Sequence, residues 1–393
     1  MKILVSAGEA SGDLYTAELV ERLRRRLPGA EFFGCAGPRM RRAGVRGVVD
    51  SRALAVVGLT EVLRHLPRVY LCFRKLLRAA AQEQPALALL TDSPDFNLRL
   101  AVRLKRLGVP VAYLVAPQVW AWRRGRLAVM RRAIDRLLCI FPFEEDFFRQ
   151  RGIAADYIGH PLCCLARPQL SDEEFFRLCP LPRRLPLVAL LPGSRPVEVA
   201  RHLPELLAAV RCLRAQLEAN FVWALPAGGF LDAVREKFRE PVARLAIQMI
   251  EGRTWDVLAR ADVALVASGT VSIEAALLGV PMVIFYKVSR STWWLGRPFV
   301  QVPYYSMVNL VAGRSIAPEL IQNEMRGERL AAEALQLLSC PELRANMQRE
   351  LKLVAAQLCA VEDPLDRAAS LIEEMLLGKG LIGRDRLCQG TGV

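Results

Sequence analysis

The sequence predicts an α/β protein of two domains, each built on a largely parallel sheet, and three observations carry that prediction. Short apolar runs alternate with longer stretches of helical period, which is the pattern of βαβ units. The chain has 393 residues, more than one ordinary core holds and enough for two. Twice in the C-terminal half an apolar strand runs straight into a small-residue loop and a helix: residues 190–195 read Leu-Leu-Pro-Gly-Ser-Arg, and residues 267–274 read Ala-Ser-Gly-Thr-Val-Ser-Ile-Glu.

Taken in order, the candidate strands of the first half are residues 3–5, 31–33, 87–90, 111–114 and 137–140, with helices over 13–26, 98–107 and 144–150. Residues 165–186 carry Pro168, Pro180, Pro182 and Pro186 and read as a linker with a helical turn or two. A second α/β series follows, with strands near 187–191, 221–225, 247–250, 263–266 and 282–285. Helical composition dominates 341–377, a stretch able to pack back on the first domain, and a glycine-rich tail closes the chain. The expected domains are therefore 1–164 and 187–340, joined by the linker, with C-terminal helices over 341–377 and a frayed tail over 378–393.

Composition narrows the function. Hydrophobic content of 53% with 24% charged residues excludes a disordered chain. The net charge of +14 favours anionic partners: phosphates, acidic lipid head groups or nucleic acid. Nucleic acid is not expected, because the basic residues are spread over many helices and no recognition motif occurs. Ten cysteines without a CxxC pair, beside three histidines, argue against a zinc site and for reduced thiols. The opening Met1-Lys2-Ile3-Leu4-Val5 reads as a first strand and not as a signal peptide. No apolar run approaches the ~20 residues that span a bilayer, so a soluble or peripheral protein is expected.

The two small-residue loops place backbone N–H groups and the positive end of a helix dipole at the C-terminal edge of a sheet, where phosphates bind. Ser194 and Arg195 in the first loop, and Ser268, Gly269 and Thr270 in the second, are the candidate phosphate ligands. Glu274, one turn into its helix, is placed to accept hydrogen bonds from sugar hydroxyls. A nucleotide-sugar site is the reading that unites them.

Four further segments are informative. Residues 6–13, Ser-Ala-Gly-Glu-Ala-Ser-Gly-Asp, follow the first strand with neither GxGxxG nor P-loop spacing. They form either a tight turn capped by Asp13 or an acceptor-facing loop using Glu9, Ser11 and Asp13. Residues 92–97, Asp-Ser-Pro-Asp-Phe-Asn, put two acids at another strand end. One can cap the following helix, and repulsion between Asp92 and Asp95 would raise the pKa of the other toward that of a general base. His160, in Gly-His-Pro, is a further base candidate, while His65 and His202 receive no role. Trp120 and Trp122 precede Arg123, Arg124 and Arg126, either as core or as a surface for an anion or a sugar face. Residues 56–77, from Val56 to Leu77, are apolar with basic flanks and divided by Pro67, so two helical segments are expected there, against a core or a membrane interface.

These segments, with Phe141-Pro142-Phe143-Glu144 and residues 301–310, occur in an order that resembles the lipid-A-disaccharide synthases over residues 1–322. The resemblance implies a GT-B fold, two Rossmann-like domains facing across a cleft, with the sugar nucleotide on the second. It implies an inverting, cofactor-free transfer joining UDP-2,3-diacylglucosamine to 2,3-diacylglucosamine 1-phosphate, giving the β-1,6-linked disaccharide 1-phosphate and UDP. It favours the membrane reading of 56–77, at an anionic surface, and a cytoplasmic enzyme held peripherally at the inner membrane. Ser93 stands where alanine is common in the family, and the C-terminal tail matches nothing in it.

Within that reaction Asp95 is the expected base, with Asp92 and His160 as alternatives. No DxD motif occurs, so Arg195, Ser194 and the N–H groups around residues 268–270 are expected to stabilise the departing diphosphate without a metal. Glu274 would hold the ribose diol and Asn309 would line the nucleotide pocket; Trp120 and Arg123 would face the acceptor. Two rivals remain: a UDP-sugar 2-epimerase on the same architecture, and a non-catalytic peripheral protein that senses a nucleotide. The sequence leaves the oligomeric state open, a homodimer included.

Overall fold

The computed structural model describes residues 1–53, 59–227 and 232–383, which fall into two compact units. The first comprises Met1–Pro161, Phe299–Gln301 and the chain from Leu358 onward; the second comprises Leu162–Pro298 and Val302–Gln357.

The first unit is built on β1 (Lys2–Ala7), β2 (Glu31–Ala36), β3 (Arg46–Asp50), β4 (Leu87–Thr91), β5 (Val111–Leu114), β6 (Arg136–Cys139) and β7 (Ala155–Tyr157). They run parallel in the order β3-β2-β1-β4-β5-β6-β7, with Ile3 facing Phe32 on one side and Leu87 on the other. The second unit repeats the scheme with β8 (Leu187–Leu191), β9 (Asn220–Leu225), β10 (Gln248–Glu251), β11 (Val263–Ala267), β12 (Met282–Tyr286) and β13 (Glu319–Ile321). Their order is β10-β9-β8-β11-β12-β13, with Val188 facing Val263. In each sheet the winding reverses once, between β1 and β4 and between β8 and β11. Doubly wound sheets bind their ligands in the crevice at the carboxyl ends of such strands.

The central strands β4, β5, β8 and β11 are buried at every position, because helices cover both faces of a parallel sheet. That is why they read as unbroken apolar runs. The short strands β3, β7 and β13 were not expected. All three lie at sheet edges, where the exposed Arg46 and the half-exposed Asp156 and Glu319 interrupt their apolar pattern.

Two helices begin earlier than their periodicity predicts, Ala10–Arg26 and Pro94–Arg106, the latter with proline in its first turn, where no N–H is needed. Between residues 165 and 186 one helix forms, Asp172–Leu178. Its Ser171 hydroxyl accepts from the Glu174 N–H at 3.3 Å while the Glu174 carboxylate accepts from the Ser171 N–H at 2.8 Å.

A correction concerns residues 56–77. Residues 56–58 lie outside the described residues, but Leu59–Glu83 is a single helix with Pro67 inside it, not two segments. Proline removes one hydrogen bond of the ladder, and a helix can absorb that loss as a bend. A second correction concerns the thiols: Cys35, Cys139 and Cys179 are buried and free as expected, whereas Cys163 and Cys359 are disulfide-bonded.

The last helix, Pro364–Gly378, packs in the first unit against Ala10–Arg26. Leu365, Leu371, Ile372 and Leu376 are fully buried. At the rim, Arg26 pairs with Asp366 at 2.8 Å and Glu373 at 3.1 Å. The tail from residue 384 lies outside the described residues.

Candidate active site

In the first unit, the ends of β1 and β4 are tied together by Asn97. Its Nδ2 donates to the Thr91 and Asp92 carbonyls at 2.8 and 3.0 Å, and its Oδ1 accepts from the Ser6 hydroxyl at 2.8 Å. The Tyr113 hydroxyl donates to the same Asp92 carbonyl at 2.5 Å. Held this way, Asp92 and Ser93 both take left-handed backbone conformations, φ 50° and 43°, that non-glycine residues rarely adopt. The turn aims the Asp92 carboxylate at the start of the Ala10–Arg26 helix, where it accepts from the Gly8 and Glu9 N–H groups at 3.0 and 3.3 Å. The approach is so close that a Cβ at position 12 would lie 1.7 Å from Asp92 Oδ2, and one at position 8 would lie 2.1 Å from Ser93 Oγ. A side chain at either place would displace the Asp92 carboxylate or the Ser93 hydroxyl. Burial, with the negative charge of Glu9 beside it, pushes the Asp92 pKa up to about 7 against the lowering effect of these donors.

The other acids behave differently. Asp95 is exposed, and its carboxylate accepts from Arg123 at 2.9 and 3.1 Å and also from Arg126. Asp13 is buried and caps the Pro38–Arg42 helix, accepting from the Arg39 and Met40 N–H groups at 2.9 and 3.2 Å. Its grouping with acceptor-facing residues is thus corrected. Glu9 is exposed and Ser11 half-buried in the first turn beside Asp92.

Trp120 is buried, its indole N–H donating to Glu144 at 3.1 Å and its ring edge-on to Phe143. It is core and does not face an acceptor. Glu144 also accepts from the Ile140 and Phe141 N–H groups, and burial raises its pKa to about 7. Trp122 turns outward instead, with the Arg123 guanidinium 4.3 Å and the Arg126 guanidinium 5.7 Å from its ring.

His160 is 2% exposed and packed between Tyr15 and Phe141; burial lowers its pKa to about 3. His160 is thus enclosed by aromatic rings, whereas Asp92 is half-buried at a strand end.

In the second unit, the loop after β8 leads to Ser194, which is exposed, and Arg195, which pairs with the buried Glu198 at 2.9 Å. The Tyr286 hydroxyl donates to the same Glu198 oxygen at 3.0 Å. His202, without a role in the sequence reading, ties this loop to the end of β12. Its Nδ1 lies 2.7 Å from the Pro192 carbonyl, and its Nε2 accepts from the Lys287 N–H at 3.1 Å. That pattern fits the neutral Nδ1–H tautomer, and burial lowers the ring's pKa accordingly.

The loop after β11 brings Ser268, Gly269 and Thr270 to the N-terminus of the Thr270–Leu277 helix, on which Glu274 is half-buried. Gly269 has no atom within 4 Å of a notional Cβ, so the loop surface is open to a ligand. The Ser268 hydroxyl donates to the Tyr305 carbonyl at 2.9 Å.

Asn309 is corrected. It is fully buried, donating to the Ala317 carbonyl and Glu319 at 2.9 and 2.8 Å and accepting from the Ile316 and Ala317 N–H groups. It lines no pocket. With Glu319, which accepts from the Tyr305 and Ser306 N–H groups at 2.8 and 3.0 Å, it fixes the segment on which Ser268 leans.

The family model described as Lipid-A-disaccharide synthetase matches residues 3–371. The chain belongs to the lipid-A-disaccharide synthase family. It is 56% identical over 378 residues to the lipid-A-disaccharide synthase of Solibacter usitatus (strain Ellin6076), covering 96% of this chain and 98% of that one. It is 42% identical over 375 residues to that of Myxococcus xanthus (strain DK1622), covering 95% and 97%. Among solved structures it is similar to a putative UDP-N-acetylglucosamine 2-epimerase from Listeria monocytogenes, with TM-score 0.67, 13% identity and 98% of each chain covered. That likeness is one of fold alone. Two Rossmann-like units make the fold GT-B, and family membership makes the chain a glycosyltransferase of lipid A synthesis and sets the epimerase reading aside. The structure also relocates the informative residues: Asn97, His202, Glu198 and Glu319 hold the loops in place, and only Asn97 lay within a motif that the sequence reading singled out as chemical.

The approach of Asp92 to the helix start is testable. Gly12→Ala should leave the melting temperature within a few degrees of wild type while lowering turnover at least about tenfold, since Asp92 must swing aside. Unchanged turnover in the folded variant would show that this contact does not set the carboxylate's position.

Proposed function

We propose that Asp92 is the general base with which this lipid-A-disaccharide synthase joins UDP-2,3-diacylglucosamine to 2,3-diacylglucosamine 1-phosphate. The observation that carries the assignment is the carboxylate's setting, half-buried on a helix start with its pKa raised to about 7. A base works best with a pKa near the working pH. Asp92 takes the proton of the acceptor's 6-hydroxyl as that oxygen attacks C1 of the donor. The bond from C1 to the diphosphate breaks with inversion, and UDP leaves with the electron pair. Asp95, the residue the sequence favoured, is instead engaged by the Arg123 and Arg126 guanidiniums.

On the donor side, the N–H groups at the start of the Thr270–Leu277 helix and the Arg195 guanidinium take the diphosphate charge, a metal-independent arrangement. Glu274, one turn along the same helix, accepts from the ribose hydroxyls.

The enzyme acts at the cytoplasmic face of the inner membrane, where its acylated substrates reside. The support is the Leu59–Glu83 helix, which exposes Tyr70 at 60% and Leu71 at 57% among the exposed Arg68, Arg74, Lys75 and Arg78. An apolar patch ringed by cations suits an anionic lipid surface. No helix among the described residues is long and apolar enough to cross a membrane.

Three outcomes are expected. Asp92→Asn should lower kcat by roughly 10²–10⁴-fold with UDP affinity unchanged, and the wild-type rate should fall on the acid side with an apparent pKa near 7. Because folding raises this pKa, its stabilising contribution is complete below the ordinary carboxylate range and lost as pH rises through about 7, so Asp92→Asn should gain stability relative to wild type between pH 5 and 8. Retention of full activity would eliminate Asp92 as the base. Glu274→Ala should weaken UDP binding by about 10- to 100-fold in calorimetry, the range of a charge-assisted hydrogen bond; an unaltered Kd would dismiss the ribose role. Finally, the Tyr70→Ser, Leu71→Ser double variant should bind anionic vesicles on the order of tenfold less tightly while staying folded. Equal flotation of the variant and wild type would move the membrane contact elsewhere.

A further inference from the structure

With Asp92 as base, the cluster beside it has no part in the chemistry so far described. Arg123 and Arg126 converge on the single carboxylate of Asp95, and Trp122 presents its ring to both guanidiniums. Two cations sharing one anion leave the cluster positively charged, and the exposed Arg124 adds to that charge. The position is open on the Trp122 side: the Asp95 side chain is 70% exposed, that of Arg123 is 47% exposed and Trp122 is 40% exposed, while the Arg126 side chain, 16% exposed, forms its inner wall. Large aromatic surface and guanidinium edges left in solvent fit a ligand better than they fit the protein's own packing. Arg123 also holds a left-handed backbone conformation, φ 55°, of the kind retained where surrounding structure imposes it.

Resting on the reaction proposed above, we infer that Trp122, Arg123 and Arg126 bind the anomeric phosphate of the acceptor, a phosphate monoester on a sugar ring. The guanidinium fork matches phosphate oxygens two at a time, and a dianion neutralises the cluster's surplus charge better than the single Asp95 carboxylate does. Asp95 is then a positioning residue that keeps the two forks oriented, and the Trp122 ring packs on the sugar's C–H face.

The acceptor's geometry requires such a neighbour for the base. In a pyranose, C5 carries the reacting hydroxymethyl group and C1 carries the phosphate, and both flank the same ring oxygen. The base and the phosphate site must therefore adjoin. Here they do: Asp92 and Asp95 lie on one turn, the Tyr113 hydroxyl donates to the Asp92 carbonyl, and Arg126 pairs with Asp95.

The same phosphate chemistry occurs in anionic lipid head groups, so the test separates the two sources. It compares kcat/KM for 2,3-diacylglucosamine 1-phosphate with that for 2,3-diacylglucosamine lacking the phosphate, in neutral detergent micelles free of anionic lipid. Wild type should prefer the phosphorylated acceptor. Arg126→Gln should reduce that preference by about tenfold or more, leaving the KM for the UDP-sugar unchanged, and Arg126→Lys should recover part of it. Trp122→Ala should raise the KM of both acceptors. If Arg126→Gln slows both acceptors equally, the arginine is merely structural and the phosphate site is refuted. The site is refuted as well if the effect arises only when anionic vesicles replace micelles, since the cluster would then bind head groups. Absence of disaccharide from wild type with either acceptor would overturn the reaction itself, and this site with it.

Discussion

The seat of Asp92 on the start of the Ala10–Arg26 helix is the constraint around which the first unit is arranged. The carboxylate crowds position 12 and the neighbouring Ser93 side chain crowds position 8, which accounts for the two glycines beside this turn. It also needs a strained turn, and buried hydrogen bonds from Asn97 and Tyr113 hold that turn in place. Desolvation raises the pKa of the group while the N–H donors keep it oriented, so one arrangement sets both aim and basicity. All of it lies where β1 and β4 diverge, the point at which a doubly wound sheet leaves its strand ends uncovered.

The second unit meets the same demand by other means. Its two small-residue loops follow β8 and β11, and each is braced from behind by a buried polar group. His202 joins the first loop to the end of β12, and Glu319 with Asn309 fixes the segment that receives the Ser268 hydroxyl. Buried polar groups of this kind are costly unless fully hydrogen-bonded, and here their partners are supplied by backbone at the loops they position. Rigid loops around an open surface suit a site that must stabilise charge developing on a leaving group.

Several readings of single residues changed for one reason: a polar or aromatic residue in a motif can face either side of the loop that carries it. Trp120 and Trp122 are two apart, and one is core while the other is solvent-facing. Asp92 and Asp95 are three apart, and one is seated on N–H donors while the other is shared by two arginines. Asp13 and Asn309 belong to recognisable motifs yet serve as internal caps and braces. The partners that decide these roles, Met40 for Asp13 or Glu319 for Asn309, stand 27 and 10 residues away in the chain.

By itself the sequence determined the two parallel-sheet units, the central strands and the loops that carry phosphate-binding character, because buried parallel strands and small-residue turns leave direct marks in residue type. Motif order also carried the family. The edge strands β3, β7 and β13 left no such mark, since an edge is half solvated and tolerates charge. Only the tertiary structure decided which acid is seated on backbone N–H donors, which tryptophan reaches solvent, and that Pro67 sits within one helix. Burial and charge neighbours set those properties, and both are made by contacts between distant parts of the chain.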